Sequence, residues 1–223
     1  MKRALTIYQY VAPAILAPAS FLLWWRVYGG DLQLIAAAWL VPVIWAYVVP
    51  GVGTNVLKVW ELNTRLRLGR FRPHHGFVFG SATAMLAWGV HWQAQSLVDV
   101  ARSAFVMGSV LAFWNLLYDI KALQAGILSV YNQPWADGKP EEVVALDYAP
   151  WFFGGFGVVY GGGIAMLEWL SAQGRLTTPM FALVFALMLA LSLSVPVAGY
   201  VAQSRRRHGH SGTHPVEKRC PSA

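Results

Sequence analysis

Five ionisable side chains lie beside long apolar segments, where general acid and base chemistry is favoured. They are Glu61, His74, His75, Asp119 and Asp147. A carboxyl group whose pKa is raised by apolar surroundings can donate a proton, while a second carboxylate or a neutral histidine accepts one. We therefore expect these residues to share a polar site at the ends of several helices, and we treat them as candidate catalytic residues.

Residues 65–72 alternate basic and apolar side chains, and Arg70 and Arg72 lie closest to the two adjacent histidines. A guanidinium group offers a fork of N–H donors that matches the oxygens of a phosphate. These two arginines are predicted to hold the phosphate of a lipid head group or of a substrate. The lipid is favoured, because basic connections next to membrane segments commonly face anionic lipids.

Each acidic candidate also has a purely structural explanation. Glu61 lies three residues after Lys58 and four before Arg65, so it could form a surface ion pair along a helix. Asp147 precedes the fifth apolar segment, where an aspartate commonly caps the first turn of a helix. Asp119 falls at the end of the fourth segment and could pair with a nearby arginine. Whether each residue is catalytic or structural depends on which side chains it contacts in the fold.

The histidines and the cysteine do not form a recognisable metal site. His74 and His75 are adjacent, and neighbouring side chains on a helix project about 100° apart. His91 would lie about 25 Å further along the same helix. Cys220 is the only cysteine, which excludes an intramolecular disulfide and a thiolate cluster. We therefore predict no metal site and no cofactor.

The elements that must position these residues are six long apolar segments. A bilayer core about 30 Å thick requires roughly 20 apolar residues per helix, and the segments approach or exceed that length. With 57% hydrophobic residues, 12% charged residues and a mean hydropathy of +0.46, the chain is too apolar for a water-soluble domain. We predict an all-α integral membrane protein with six transmembrane helices. The segments comprise residues 7–25, 32–49, 77–90, 104–118, 148–167 and 180–201.

Lysine and arginine fall mainly on one side of this arrangement. Because positive charge marks the cytoplasmic side, we expect both termini to be cytoplasmic, in a bacterial inner or plasma membrane. The charges flank apolar segments instead of clustering on a soluble face, which favours membrane lipids over nucleic acid as partners. Thirteen residues are predicted to be cytoplasmic and three to lie opposite: Lys2, Arg3, Lys58, Arg65, Arg67, Arg70, Arg72, Lys139, Arg205, Arg206, Arg207, Lys218 and Arg219, against Arg26, Arg102 and Arg175.

Residues 1–203 are expected to form one polytopic membrane domain, and residues 204–223 a basic, disordered cytoplasmic tail. Within the membrane domain, residues 51–75 are predicted to lie at the cytoplasmic interface and to include a short amphipathic helix over residues 55–62. Pro50 should kink the second helix just before this segment. Gly157 and Gly161, four residues apart, should let their helix pack closely against another.

Three classes of function fit these features. The favoured one is a membrane-embedded enzyme acting on a lipophilic isoprenoid or lipid, because aromatic residues near the fourth and fifth segments could line a cavity and stabilise a cation. The second is a non-catalytic partner that binds a soluble protein through its cytoplasmic loops. The third is a small transporter, which the scarcity of charges in mid-helix makes less favoured. The aromatic residues are Trp114, Tyr118, Trp151, Phe152, Phe153, Phe156 and Tyr160.

The charge distribution predicts which positions an impermeant thiol reagent can reach from outside the cell. In a Cys220→Ser background, single cysteines placed at residues 99–102 should be labelled on intact cells. Cysteines at positions 2, 137 and 215 should be labelled only after the membrane is opened. Labelling of position 137 on intact cells would contradict the six-helix arrangement.

Overall fold

The computed structural model describes residues 1–218, and almost all of their regular structure is helical. When each continuous helical segment is counted once, these residues form eight helices and two short strands. The elements are α1 (Lys2–Val27), α2 (Leu32–Val56), β1 (Trp60–Leu62), α3 (His75–Gly89), α4 (Leu97–Gln124), β2 (Leu128–Val130), α5 (Gln133–Ala136), α6 (Glu141–Leu146), α7 (Pro150–Ala172) and α8 (Thr178–His208).

Five of these helices, α1, α2, α4, α7 and α8, are long and apolar enough to cross a membrane. The all-α fold is therefore confirmed, and the chain has the character of an integral membrane protein. The third predicted segment corresponds to α3, which has 15 residues. At 1.5 Å per residue this helix is about 22 Å long, which is less than the thickness of the bilayer core.

Wide π-helical turns interrupt the long helices near prolines. A proline has no N–H to donate, and its ring displaces the carbonyl of the preceding turn, so the helix widens locally instead of ending. At Pro50, where the sequence predicts a kink, α2 continues past the proline as a π-helical turn and ends at Val56. The π-helical turns are Ala12–Leu16, Ala36–Leu40, Val52–Val56 and Pro150–Gly155.

The prediction of an amphipathic helix over residues 55–62 is wrong. Lys58 adopts a left-handed conformation with φ of 60°, which stops the helix and turns the chain back. The following residues form β1, which pairs antiparallel with β2 so that Trp60 lies opposite Val130 and Leu62 opposite Leu128. The β pair links the end of α2 to the end of α4, two elements that are distant in the sequence.

The expected close packing at Gly157 and Gly161 is confirmed. α4 and α7 form the most extensive helix contact of the fold. A Cβ added at Gly157 would lie 2.8 Å from the Cα of Gly108, and one at Gly161 would lie 2.7 Å from the carbonyl oxygen of Ser103. Glycine is therefore required for the two backbones to approach this closely.

The C-terminal segment differs from the expected disordered tail. α8 includes Arg205, Arg206 and Arg207 and ends at His208, followed by Gly209 with φ of 79°. Further along, the Val216 amide donates a hydrogen bond of 2.9 Å to the carbonyl oxygen of Tyr131. Residues 204–218 thus pack against the rest of the fold, because the loop after β2 supplies partners for them. The end of the predicted tail, including Cys220, lies outside the described residues.

Replacing either packing glycine with isoleucine should destabilise the protein by about 1–3 kcal/mol. The added side chain would force α4 and α7 apart. Gly51→Ile is the matched control, because Gly51 is helical and has no atom within 4 Å of an added Cβ. Thermal unfolding in detergent would test this, and equal midpoints for Gly157→Ile, Gly161→Ile and the control would contradict the packing account.

Candidate functional site

A cavity of about 70 Å³ lies where the ends of α2, α4 and the β pair meet the starts of α3 and α7. Its wall is mainly aromatic, and a few polar side chains reach it. A largely apolar pocket with a small number of polar groups is the common form of a small-molecule site. The polar lining residues are Thr54, Arg72, His75, Tyr118, Asp119 and Tyr148.

Arg72 is the most constrained polar residue of this cavity. It is only 1% exposed, with one Nη atom donating to Gln9 Oε1 at 3.2 Å and the other lying 2.7 Å from His75 Nδ1. The Nε atom has no hydrogen-bond partner. Within residues 1–218, Arg72 has no carboxylate within salt-bridge distance. A buried cation is therefore left without an opposite charge.

The electrostatics of Arg72 also determine the protonation of His75. Burial lowers the pKa of Arg72 from its ordinary value, while the nearby Tyr118 hydroxyl acts in the opposite direction. An arginine side chain keeps its proton in proteins, so the guanidinium stays charged and can only donate hydrogen bonds. His75 Nδ1 must then accept, so the imidazole is neutral and carries its proton on Nε2.

A local turn brings Arg72 and His75 together. Pro73 restricts Arg72 to an extended backbone conformation, and the His75 amide then donates to the Arg72 carbonyl oxygen at 2.9 Å. α3 begins at His75, so the imidazole is fixed by the first helical turn. His75 is buried and stacks on Phe79, with ring centroids 6.2 Å apart.

Asp119 forms the acidic part of the site. It lies on the buried face of α4, four residues after the buried Asn115 and three before the buried Ala122. The Tyr148 hydroxyl donates to Asp119 Oδ2 at 2.6 Å. Tyr148 comes from the loop before α7 and was not among the sequence candidates. Its position next to Asp147 gave no signal for this contact, which depends on how α4 and α7 pack.

Aromatic rings enclose the rest of the cavity. Trp60 and Phe152 meet edge to face with centroids 5.0 Å apart, and Phe79 stacks on Phe153 at 5.7 Å. Trp45 packs against Phe79 at 5.3 Å. Of the aromatic residues expected to line a cavity, Tyr118, Phe152 and Phe153 do so, whereas Trp114 is exposed on the outside of α4. Such a lining suits an apolar or cationic reacting group.

Glu61 lies outside this cavity. It sits between Trp60 and Leu62 on β1, and alternate residues of a strand point to opposite faces. Trp60 and Leu62 line the cavity, while Glu61 pairs with Arg67 at 3.0 Å and accepts from the Tyr131 hydroxyl at 2.9 Å. The structural explanation of Glu61 as an ion-pair residue therefore describes its contacts, although Arg67 is the partner instead of Lys58 or Arg65.

Asp147 is neither a helix N-cap nor a cavity residue. It follows the last residue of α6 and is buried. Its carboxylate accepts from Asn132 Nδ2 at 3.1 Å and lies 2.8 Å from His208 Nε2. The N-cap interpretation fails because α7 starts at Pro150 and its cap position is Ala149, two residues after Asp147. Asp147 instead attaches the end of α8 to the loop after β2.

The remaining candidates lie beside the cavity. His74 stacks on Tyr10 with ring centroids 5.5 Å apart, and burial lowers the pKa of its imidazole from the ordinary value. Arg70 donates to the Lys58 carbonyl oxygen at 3.2 Å and lies over the Tyr131 ring. Of the two predicted phosphate-binding arginines, Arg72 faces the cavity and Arg70 does not.

A second buried polar cluster surrounds Glu168 near the other end of the helices. Its carboxylate accepts from the Tyr28 hydroxyl at 2.7 Å and the Ala94 amide at 3.0 Å, and it lies 2.5 Å from His91 Nε2. These contacts join α1, α7 and the connection before α4. The sequence contained Glu168 and His91 but no spacing that paired residues so far apart.

The chain matches no protein-family model, and no curated protein or solved structure matches it. Among residues 1–218, no group of three or more His, Cys, Asp and Glu side chains is placed to hold a metal ion.

The Asp119–Tyr148 contact predicts a measurable loss of stability. Tyr148→Phe keeps the ring but removes the donor to a buried carboxyl group, which should lower the free energy of unfolding by about 1–3 kcal/mol. Tyr47→Phe is the control, because the half-buried Tyr47 makes no hydroxyl hydrogen bond within the described residues. Unfolding in mixed detergent micelles would test this, and equal stabilities of the two variants would contradict it.

Proposed function

We propose that this protein is a membrane-embedded enzyme that acts on a lipophilic substrate of the lipid or isoprenoid class by acid and base chemistry. The observation that carries this proposal is the buried, unpaired Arg72, which lines the same aromatic cavity as Asp119 and Tyr148. Burying a charge without a partner costs several kcal/mol or more. A bound anionic or polar head group would offset that cost.

The polar groups divide the chemistry between them. Arg72 holds the head group, because its fork of donors suits phosphate or carboxylate oxygens. Asp119 accepts or returns the proton, with Tyr148 orienting the carboxylate through its 2.6 Å hydrogen bond. His75, neutral and held by Arg72, presents its Nε2 proton as a further donor. The aromatic rings exclude water and would stabilise positive charge on the substrate.

We also propose the complete topology, with α3 as a short sixth crossing and both termini in the cytoplasm of a bacterial inner or plasma membrane. The support is the concentration of lysine and arginine at the termini and in the connections on that side. In this arrangement the cavity opens near the cytoplasmic face, and membrane lipids surround the helices. A substrate would enter from the bilayer or from the cytoplasmic interface.

A second candidate is a regulator that binds a soluble protein. It is favoured by one feature, the exposed Leu66 and Leu68 on a loop that also presents Arg65 and Arg67. Apolar residues rimmed by charge are common in protein interfaces. This role would leave the buried cavity unused, so it explains less of the structure than the enzyme does.

The test is a comparison of the lipid content of cells that carry the wild type, no gene or single variants at equal membrane abundance. Arg72→Gln and Asp119→Asn should reduce the product roughly 100-fold or more. Their matched controls, Arg70→Gln and Asp147→Asn, change the same residue types outside the cavity and should retain most of it. Glu61→Gln should behave like the controls.

Two outcomes would contradict the proposal that the protein is an enzyme. One is a lipid profile that does not change between cells with and without the gene. The other is a wild-type product level in both cavity variants. Loss of function from Leu66→Asp and Leu68→Asp with intact cavity variants would instead favour the regulator.

A further inference from the structure

A second cavity, of about 200 Å³, lies next to the candidate site. Its lining is almost entirely apolar and comes from the end of α2, the β pair and the last turns of α8. The lining residues include Val48, Val52, Trp60, Phe152, Leu193 and Val197. An apolar protein cavity of roughly 150 Å³ can hold a benzene molecule. This cavity is large enough for a segment of hydrocarbon.

Only two aromatic rings separate this cavity from the candidate site. Trp60 and Phe152 line both cavities, and they contact each other edge to face. The Trp60 ring lies flat on Gly53, where an added Cβ would overlap the indole. A ligand that occupied both cavities would have to pass between these two rings.

The second cavity opens towards the surface that faces lipid. Val48, Val52 and Val197 line it and remain 41%, 42% and 39% exposed. They lie on α2 and α8, two helices that are apolar and long enough to cross a membrane. Gly212 and Thr213 from the C-terminal segment also line the cavity. These exposed valines give a hydrocarbon chain a route into the cavity from the bilayer.

We infer that the ligand is a single-chain amphiphile, with its hydrocarbon chain in the second cavity and its anionic head group beside Arg72 in the first. This inference rests on the proposed function for the head-group site and adds the substrate class. The smaller cavity, at about 70 Å³, has room for a head group but not for a chain. The larger cavity has no charged lining residue, and its size suits a segment of one chain, with the rest of the chain lying in the bilayer.

The anionic head group follows from the state of Arg72. Its guanidinium is 1% exposed, lacks a carboxylate within the described residues and has an Nε atom without a partner. Phosphate and carboxylate oxygens are the matching acceptors for such a fork. Trp60 and Phe152 would contact the first carbons of the chain, where head and tail meet.

Native mass spectrometry of the full-length protein in detergent would test this with three probes. Hexadecyl phosphate has one chain and an anionic head, hexadecanol has the same chain without charge, and dihexadecyl phosphate has two chains. We expect one bound hexadecyl phosphate per chain, with the other two probes bound at least roughly tenfold more weakly. Heptadecanoate, which carries a carboxylate on the same hexadecyl chain, shows whether the site prefers a phosphate or a carboxylate head group.

Two variants locate the parts of the ligand. Val197→Trp fills the second cavity and should weaken binding of hexadecyl phosphate by roughly tenfold. Leu191→Trp is the matched control, because Leu191 lies on the same helix, is 45% exposed and does not line the cavity. Arg72→Gln should remove the preference for hexadecyl phosphate over hexadecanol, which a purely structural role of Arg72 would not do.

Equal binding of hexadecyl phosphate and hexadecanol to the wild type would overturn the inference and indicate surface lipid only. So would equal effects of Val197→Trp and Leu191→Trp. The binding test of this ligand and the cellular test of the proposed enzyme can fail independently. Selective binding with an unchanged cellular lipid profile would support this ligand and contradict the enzyme. A changed lipid profile without selective binding would support the enzyme and contradict this ligand.

Discussion

The burial of Arg72 is the constraint on which the candidate site depends. A guanidinium that is removed from water must be surrounded by acceptors, and here Gln9 of α1 and His75 of α3 supply them. The same helices are joined again where the Tyr8 hydroxyl donates to the Val78 carbonyl oxygen at 3.2 Å. The charge thus ties α1 to α3 beside the cavity, while the Nε atom of Arg72 is left without a hydrogen-bond partner.

The β pair determines which side chains reach the cavity. Pairing of Trp60 with Val130 and of Leu62 with Leu128 holds β1 across the end of α4. Alternation along the strand then directs Trp60 and Leu62 into the cavity and Glu61 towards Arg67. A helix over the same residues would have distributed these side chains around its circumference. Two short strands therefore separate the ion pair on the surface from the aromatic wall of the site.

The helices could be predicted from the sequence because apolarity over some 20 residues is a local property. Asp119, His75 and Arg72 could be recognised by type and position for the same reason. The residues that contact them could not be predicted from the sequence. Tyr148 reaches Asp119 across 29 residues, and His208 reaches Asp147 across 61. Such contacts follow from tertiary packing, which local patterns do not encode. The β pair was missed for this reason, and because the left-handed Lys58 that ends α2 is unusual for a residue other than glycine.

The three buried acids Asp119, Asp147 and Glu168 differ in how completely they are hydrogen-bonded. Glu168 has three partners from different parts of the chain, and Asp147 has two. Both hold elements together, as buried polar groups must when they stabilise a fold. Asp119 has one partner, the Tyr148 hydroxyl, and faces a cavity that also contains the unpaired charge of Arg72. A polar group left short of partners inside a protein is costly, and a ligand that brings both an anionic head and a proton to exchange would complete both residues at once.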